Sequence, residues 1–308
     1  MKKKLVSYVI ATAVIAVFAL GCATMFPAPQ PWAYVSSHCC FTVGIRADGT
    51  LWTWGQNMHG QLGDGTTTNR LSPVRIDSGG WRYVSATGGP GSDHTMAIRS
   101  DGSLWAWGRN DRGQLGDGTT TWRNRPVQIG AMTNWASVSA SFGHSLAIRT
   151  DGTLWAWGSN EHGQLGDGTT TQRNAPVQIG TDTNWVTVSA GDESEHTVAI
   201  RSGGTLWAWG NNANGKTGFG VDTGNTLVPT QVAVGTELET GWAFASAGWG
   251  HTVAIRTDGS LWAWGSNASG RTGLGTDTGN TLVPTQIGAG TALETGWIFV
   301  DAGSYALT

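Results

Sequence analysis

Four histidines recur at nearly constant spacing, and histidine is both a metal ligand and a general base. They are His94, His144, His196 and His251, separated by 50, 52 and 55 residues. Ligands of one zinc ion must all lie within about 2.0–2.1 Å of it, whereas residues repeated once per structural unit are held apart. The first unit has Phe41 at this position, so the set is incomplete. We therefore expect buried histidines that form hydrogen bonds within their own units, beside the following Thr or Ser, and no metal site.

Three aspartates lie in a repeated GDGTTT segment and resemble fragments of a calcium loop. They are Asp64, Asp117 and Asp167. Each segment offers one carboxylate, whereas calcium sites use several oxygens at a fixed spacing, so turn formation explains them better. The sequence contains no Gly-x-Ser-x-Gly elbow, phosphate loop or paired-cysteine zinc spacing. These observations predict a protein that is not an enzyme and carries no cofactor, and a catalytic site assembled from several units is the alternative.

The N-terminus has the pattern of an export signal. MKKK provides a basic start, residues 5–20 are almost wholly apolar, and ALGC ends at Cys22. The pattern resembles a bacterial lipoprotein signal, which implies cleavage after residue 21 and a lipid on Cys22; an uncleaved N-terminal anchor is the alternative. Residues 22–31 are expected to form a tether. Both alternatives predict a chain outside the cytoplasm, and the first predicts a lipid-anchored protein of the bacterial cell envelope, at the outer membrane or the cell surface.

The composition limits both the fold class and the partners. The chain has 47 Gly, 18 Trp and 13% charged residues, which favours an all-β protein with many short strands. Without residues 1–21, 15 Lys and Arg face 21 Asp and Glu, a net charge of about −6, which argues against nucleic acid as a partner. The adjacent Cys39 and Cys40 are poorly placed for a disulfide; we interpret them as local substitutions, with a strained bridge or a metal role as alternatives.

Tryptophan marks a repeat of about fifty residues. Each unit opens with one tryptophan and contains a later pair in the motif LWTWG or LWAWG. The opening residues are Trp32, Trp81, Trp135, Trp185, Trp242 and Trp297, and the pairs are Trp52/Trp54, Trp105/Trp107, Trp155/Trp157, Trp207/Trp209 and Trp262/Trp264. Only Trp122 and Trp249 fall outside the pattern. A period near 50 with strand-like content indicates a propeller or another repeat architecture.

One unit can be divided into four strands. WASVSA (135–140) and HSLAIR (144–149) have strand patterns, Asp151-Gly152 suits a tight turn, and TLWAWG and PVQIG (176–180) supply two more strands. Trp105 and Trp107 should share one face of their strand and Leu104 and Ala106 the other. Because both faces are apolar, each sheet is expected to pack between two neighbours, and the paired tryptophans and the histidines are expected to be structural.

The order of these motifs resembles the regulator of chromosome condensation repeat, as in HTMAIRSDGSLWAWGRNDRGQLGDG (94–118). The resemblance covers residues 32–308 and implies a β-propeller of four-stranded antiparallel blades, which in this family number seven. This chain has five complete repeats, starting near residues 32, 81, 135, 185 and 242, and a partial sixth from residue 297. The ring is therefore expected to be left incomplete, to close at a smaller size or to be completed by another chain, unless the sequence is truncated.

The family also implies several functions. Nucleotide exchange on a nuclear GTPase and ultraviolet sensing do not suit an exported chain in which GWGHT (248–252) lacks the arginine of the sensing motif. A secreted bacterial relative inhibits β-lactamases, which implies an extracytoplasmic protein-binding or scaffold module. We expect the loops to bind an unknown protein partner, with Trp122, Arg123 and Trp249 as candidate binding residues because they break the repeat. Carbohydrate binding at equivalent sites on each blade and a purely structural envelope role are the alternatives.

Overall fold

The computed structural model describes residues 31–38, 40–88, 93–191, 195–222, 224–275 and 279–302. The predicted signal segment 1–21, the lipidation site Cys22, all but the last residue of the tether and Cys39 lie outside the described residues. The described part is built from strands, which confirms the all-β prediction. Within these ranges no helix has the length and apolar character needed to cross a membrane.

Twenty strands form five four-stranded antiparallel sheets, and each sheet uses four strands that are consecutive in the chain. Blade 1 contains β1 (Trp32–His38), β2 (Phe41–Arg46), β3 (Leu51–Gly55) and β4 (Arg70–Arg75). Blade 2 contains β5 (Trp81–Thr87), β6 (His94–Arg99), β7 (Leu104–Gly108) and β8 (Arg123–Gln128). Blade 3 contains β9 (Trp135–Ala140), β10 (His144–Arg149), β11 (Leu154–Gly158) and β12 (Arg173–Gln178).

The last two blades follow the same plan. Blade 4 contains β13 (Trp185–Ala190), β14 (His196–Arg201), β15 (Leu206–Asn211) and β16 (Asn225–Gln231). Blade 5 contains β17 (Trp242–Ala247), β18 (His251–Arg256), β19 (Leu261–Gly265) and β20 (Thr281–Gln286). Short 3-10 turns at Ala213–Gly215 and Ala268–Gly270 follow the third strands of these two blades.

The Asp-Gly turns join the second and third strands of a blade. In blade 3, Ile148 pairs with Leu154 across the turn, and Gly152 has φ = 78°, a conformation that favours glycine. The carboxylate of Asp151 accepts hydrogen bonds from the Thr153 backbone N–H at 3.1 Å and from its hydroxyl at 2.7 Å. These bonds hold the pKa of Asp151 below its usual value. The turn thus sets the register that places both tryptophans of β11 on one face.

The first strand of each blade lines a central channel of about 710 Å³. One serine per blade forms what we call the serine belt, which consists of Ser36, Ser85, Ser139, Ser189 and Ser246. Four belt hydroxyls accept a hydrogen bond from a backbone N–H of the first strand of the next blade, as from Ala190 to Ser139 at 3.0 Å. The fifth, that of Ser246, accepts from the Ala302 N–H of the sixth unit at 3.0 Å. The belt therefore joins the five blades and the start of the sixth unit around the channel.

The hydrophobic core lies between blades rather than within one. Between blades 2 and 3, Leu104, Ala106 and Leu115 pack against Trp135 and Trp157 of the following blade. Equivalent clusters lie between the other consecutive pairs of blades. The sheets of blades 2, 3 and 4 consequently bury both faces, as the doubly apolar strands predict, whereas Trp32 of blade 1 is 39% exposed.

Among the described residues, the ring of blades is incomplete. Consecutive blades pack against each other from blade 1 to blade 5, and the sixth unit adds Val300 and Ala302 to a small cluster with Val253 and Ala263. In the described part of the chain, no comparable interface joins blade 5 to blade 1. The prediction of five complete repeats with an incomplete ring is therefore confirmed.

Candidate functional site: the loop face

The loops after the first and third strands emerge on the same edge of each antiparallel sheet, and together they form what we call the loop face. The long loop of blade 2 is built around the buried Asn110. Its side-chain amide donates to the Asp117 carboxylate at 3.2 Å and to the carbonyls of Thr119 and Thr121 at 3.0 and 3.1 Å, and its oxygen accepts from Leu115 N–H at 2.9 Å. Asn57 and Asn160 organise their loops in the same way. These long loops are therefore a fixed surface.

The repeated aspartates are held by an arginine of the same unit. Arg123 Nε donates to Asp117 Oδ2 at 2.7 Å, and Arg70 with Asp64 and Arg173 with Asp167 form the same contact. The prediction that Arg123 breaks the repeat is therefore wrong, because its guanidinium has the same structural task as its two counterparts.

A shared carbonyl joins each loop to the next blade. The Gln114 carbonyl accepts two hydrogen bonds from blade 3, from the Trp157 indole at 2.9 Å and from the Ser145 hydroxyl at 2.8 Å. The carbonyls of Gln61, Gln164 and Lys216 accept from the equivalent Trp and Thr pairs. The second tryptophan of the pair thus joins its blade to the preceding one through an indole hydrogen bond. The four residues that do so are fully buried: Trp107, Trp157, Trp209 and Trp264.

The histidines also act between blades. His94 Nε2 lies 3.0 Å from the Ser145 hydroxyl of blade 3, and His196 Nε2 lies 3.0 Å from the Thr252 hydroxyl of blade 5. His144 makes a longer contact of 3.4 Å with Thr197 of blade 4. For these three histidines the Nε2 contact is therefore made with the next blade, which the prediction of hydrogen bonds within one unit did not include. Burial lowers the pKa of His196 well below its usual value, and burial with the nearby Arg271 lowers that of His251 to about 4.

Trp122 projects from the loop of blade 2 and is 44% exposed. Its indole N–H donates to Asp111 Oδ1 at 2.6 Å, and the Arg109 guanidinium lies 5.9 Å from the ring centre. The His59 ring of blade 1 meets it edge-on at 4.8 Å and is itself held 2.7 Å from the Asp93 carboxylate. An exposed aromatic ring is therefore fixed by contacts from two blades.

Trp249 lies in the short loop after β17 and is 36% exposed. The Arg271 guanidinium packs over its ring at 4.9 Å. Trp122 and Trp249 share the loop face, but blades 3 and 4 lie between their blades. The structure therefore places them as two separate candidate contacts.

A half-buried carboxylate lies between them on the same face. Glu195 precedes His196, and its carboxylate lies 2.6 Å from His162 Nε2 and 3.6 Å from Arg112 Nη1. Burial raises the pKa of Glu195 above its usual value although Arg112 and His162 lie close to the carboxylate. Lys216, at the position that is glutamine in the first three loops, is also buried, which lowers its pKa to about 8. Sequence reasoning missed this group, although Lys216 departs visibly from Gln61, Gln114 and Gln164.

No group of three or more His, Cys, Asp or Glu side chains is arranged to bind a metal ion within the described residues. Cys40 is exposed beside the channel, and its neighbour Cys39 lies outside the described residues. The contacts of the loop face support the recognition of another molecule by a fixed surface.

The first tryptophan of each pair is not equally available in every blade. An arginine guanidinium lies 3.8–5.5 Å from the ring centres of Trp52, Trp105, Trp155 and Trp207. Trp262 of blade 5 has no such cover within the described residues. The alternative of equivalent carbohydrate sites on each blade stays a prediction, although four of the five rings already stack on an arginine.

The family model of the regulator of chromosome condensation (RCC1) repeat matches five consecutive segments, residues 48–98, 101–148, 151–200, 203–255 and 258–305. The chain belongs to the RCC1 repeat family. Each match begins at or just after the turn between the second and third strands of a blade. It therefore contains the third and fourth strands of one blade and the first and second strands of the next. The RCC1 repeat and the structural blade are thus out of phase by two strands.

Relatives of this RCC1 repeat protein differ widely in size. The ultraviolet-B receptor UVR8 of Arabidopsis thaliana is 30% identical over 84% of the chain and 47% of its own length, and the human E3 ubiquitin-protein ligase HERC2 is 26% identical over 75% of the chain and 4% of its own length. The chain thus spans about half of the first and a small part of the second. Human WBSCR16 superposes with a TM-score of 0.71 at 21% identity, covering 83% of this chain and 67% of that one. Yeast RCC1 (Prp20), in its complex with Kap60, superposes with a TM-score of 0.69 at 20% identity, covering 80% of this chain and 59% of that one.

Proposed function

We propose that this RCC1 repeat protein is a non-catalytic binding scaffold of the bacterial cell envelope, which recognises a protein partner through its loop face. The observation that carries the proposal is Trp122. An exposed indole held by Asp111, Arg109 and His59 loses little conformational freedom on binding, and rigid aromatic anchors contribute much of the affinity of protein interfaces.

Two features of the relatives support a protein partner. Yeast RCC1 was solved bound to Kap60, and the study of Prp20p describes its binding to Gsp1p and histones. These partners belong to those proteins. What transfers to this chain is the use of an RCC1 propeller as a protein-binding surface, and the net acidic charge favours a partner other than nucleic acid.

The location is a separate part of the proposal and rests on residues 1–22. We expect a lipid on Cys22 and a short tether that holds the propeller at the outer membrane or the cell surface. Labelling of cells with radioactive palmitate should mark the wild-type protein and not Cys22→Ser. Equal labelling of both, or full-length protein in the cytoplasm, would exclude the lipid anchor.

The binding proposal is tested with a substitution that the chain itself supplies. Unit 3 has Gln172 at the position of Trp122, so Trp122→Gln should preserve the loop while removing the anchor. After a partner has been captured from envelope extracts of the native host and purified, this variant should bind it at least about tenfold more weakly, with a further loss in the double variant Trp122→Gln/Trp249→Ala. Gln172→Ala is the matched control and should leave the affinity unchanged. Unchanged affinity in the double variant would refute the placement of the site.

A further inference from the structure

A second concave site lies on the side of the propeller, between blades 4 and 5. Its volume is about 820 Å³, within the range of about 300–1,000 Å³ typical of ligand pockets. Phe219 and Leu238 of unit 4 and Val283 and Pro284 of β20 form apolar walls around Trp262. Two amide side chains, Gln231 of β16 and Gln286 of β20, also line it. The groove therefore combines an aromatic surface with neutral polar groups.

Changes in the sequence of unit 4 create this groove. Phe219 occupies the position of Asp64, Asp117 and Asp167, so the aspartate–arginine pair of the first three units is replaced by an aromatic ring. The connection between β16 and β17 runs over residues 232–241, longer than residues 129–134 between β8 and β9. Leu238 in this longer connection, together with Phe219 and Trp262, packs against the core between blades 4 and 5. The walls are thus anchored rather than loosely exposed.

The position of Arg256 leaves the Trp262 ring available. In blade 4 the equivalent Arg201 lies 3.8 Å from the ring centre of Trp207. Arg256 instead donates from Nη2 to the carbonyls of Glu237 and Thr240, at 3.2 and 3.1 Å. Both carbonyls belong to the longer connection of unit 4. The same segment therefore builds one wall of the groove and draws the arginine away from Trp262.

The chemistry of the groove selects its ligand. The two charged side chains that line the groove, Arg256 and Glu237, have opposite signs, so the groove does not favour a ligand of one charge. The side-chain amide nitrogens of Gln231 and Gln286 make only long hydrogen bonds of 3.4 Å. Within the described residues the side-chain oxygens of these two glutamines make no hydrogen bond, so they can accept hydrogen bonds from the hydroxyls of a ligand. A pyranose ring with equatorial substituents presents a flat C–H face to an indole and hydroxyls at its edge. We propose that this groove binds a β-1,4-linked hexose oligosaccharide, with one sugar stacked on Trp262.

This site is independent of protein binding at the loop face, and calorimetric titration with cellohexaose and with chitohexaose tests it directly. Trp262→Phe, which keeps an apolar core residue but reduces the stacking surface, should weaken binding about tenfold, and Phe219→Asp, which restores the residue of the first three units, should abolish it. The matched control is Trp105→Phe, because Trp105 occupies the same strand position but is covered by Arg99. Gln286→Ala, compared with Gln128→Ala at the same register of blade 2, tests the hydroxyl contact.

The outcomes separate clearly. Binding of either hexasaccharide that is weakened by Trp262→Phe, Phe219→Asp and Gln286→Ala, and unchanged in Trp105→Phe and Gln128→Ala, supports the site. Absence of binding by both sugars at millimolar concentration overturns it. Equal weakening by Trp262→Phe and Trp105→Phe would indicate a general effect on the fold and would also overturn it, as would wild-type affinity in both Trp262→Phe and Phe219→Asp.

Discussion

The contact between a loop glycine and the next blade's tryptophan allows a quantitative test of how the blades are joined. Gly116 has φ = 79°, and a Cβ at this position would lie 2.7 Å from Trp157 Nε1. Gly118, two residues later, has φ = 82° and would place its Cβ in open space. Alanine in the left-handed conformation costs about 1–2 kcal/mol, and overpacking of a filled interface adds about 1–3 kcal/mol. We therefore expect Gly118→Ala to lose about 1–2 kcal/mol of unfolding free energy and Gly116→Ala about 2–5 kcal/mol.

Urea unfolding followed by tryptophan fluorescence measures both variants, and similar m-values would show that the same surface is exposed. Gly273→Ala adds a third comparison. Its φ is 69°, but the nearest atom to a Cβ is Ile287 Cδ1 at 3.5 Å, because no described tryptophan packs there. It should therefore resemble Gly118→Ala. If Gly116→Ala and Gly118→Ala lose the same free energy, the loop and the indole are not in the tight contact on which this account of the interfaces depends.

Two other perturbations test buried polar groups. Ser139→Ala removes the belt hydroxyl that accepts the Ala190 N–H at 3.0 Å and should cost about 1 kcal/mol in urea unfolding, whereas Ser137→Ala on the same strand should cost less; equal losses would argue against the belt. Burial, with Arg271, lowers the pKa of His251 from 6.5 to about 4. Between these pH values the unfolded chain binds a proton that the folded protein does not bind. The free energy of unfolding therefore loses nothing from His251 above pH 6.5 and decreases as the pH drops toward 4. His251→Phe, which copies Phe41 of unit 1, should remove up to about 3 kcal/mol of this acid-dependent loss. If the free energy of unfolding of the variant and of the wild type changes with pH in the same way, this prediction is wrong.

The strands and turns could be predicted from the sequence because their determinants are local. Alternation in WASVSA and the Asp151-Gly152 pair act over a few residues, and the repetition of each motif reinforced the assignment. The partners of the histidines could not be predicted in this way. His94 bonds to Ser145, 51 residues away, and the sequence shows its adjacent Thr95 more clearly than the equivalent hydroxyl one blade further on.

The candidate site was predicted only in part. Trp122 was identified because it departs from the repeat. Arg123 was misassigned, although Arg70 and Arg173 begin β4 and β12 just as Arg123 begins β8. An alignment of the three units shows this equivalence. In the sequence the belt serines are only the polar residues of alternating strands. Their hydrogen bonds to the next blade follow from the arrangement of the first strands around the channel and could not be predicted. The groove between blades 4 and 5 had one signal in the sequence, Phe219 in place of an aspartate. Whether the Trp262 ring is accessible there depends on the position of Arg256 in space, which the sequence does not show.

The carbonyl and indole contact recurs with the same atoms at all four blade interfaces. A unit duplicated in tandem would therefore carry its own acceptor for the blade that follows and its own donor for the blade that precedes it. Unequal recombination between near-identical repeats could change the number of blades without a new contact having to arise. The exposed loop tips of an added copy would then be free to diverge, so such a protein could acquire new recognition surfaces by growing.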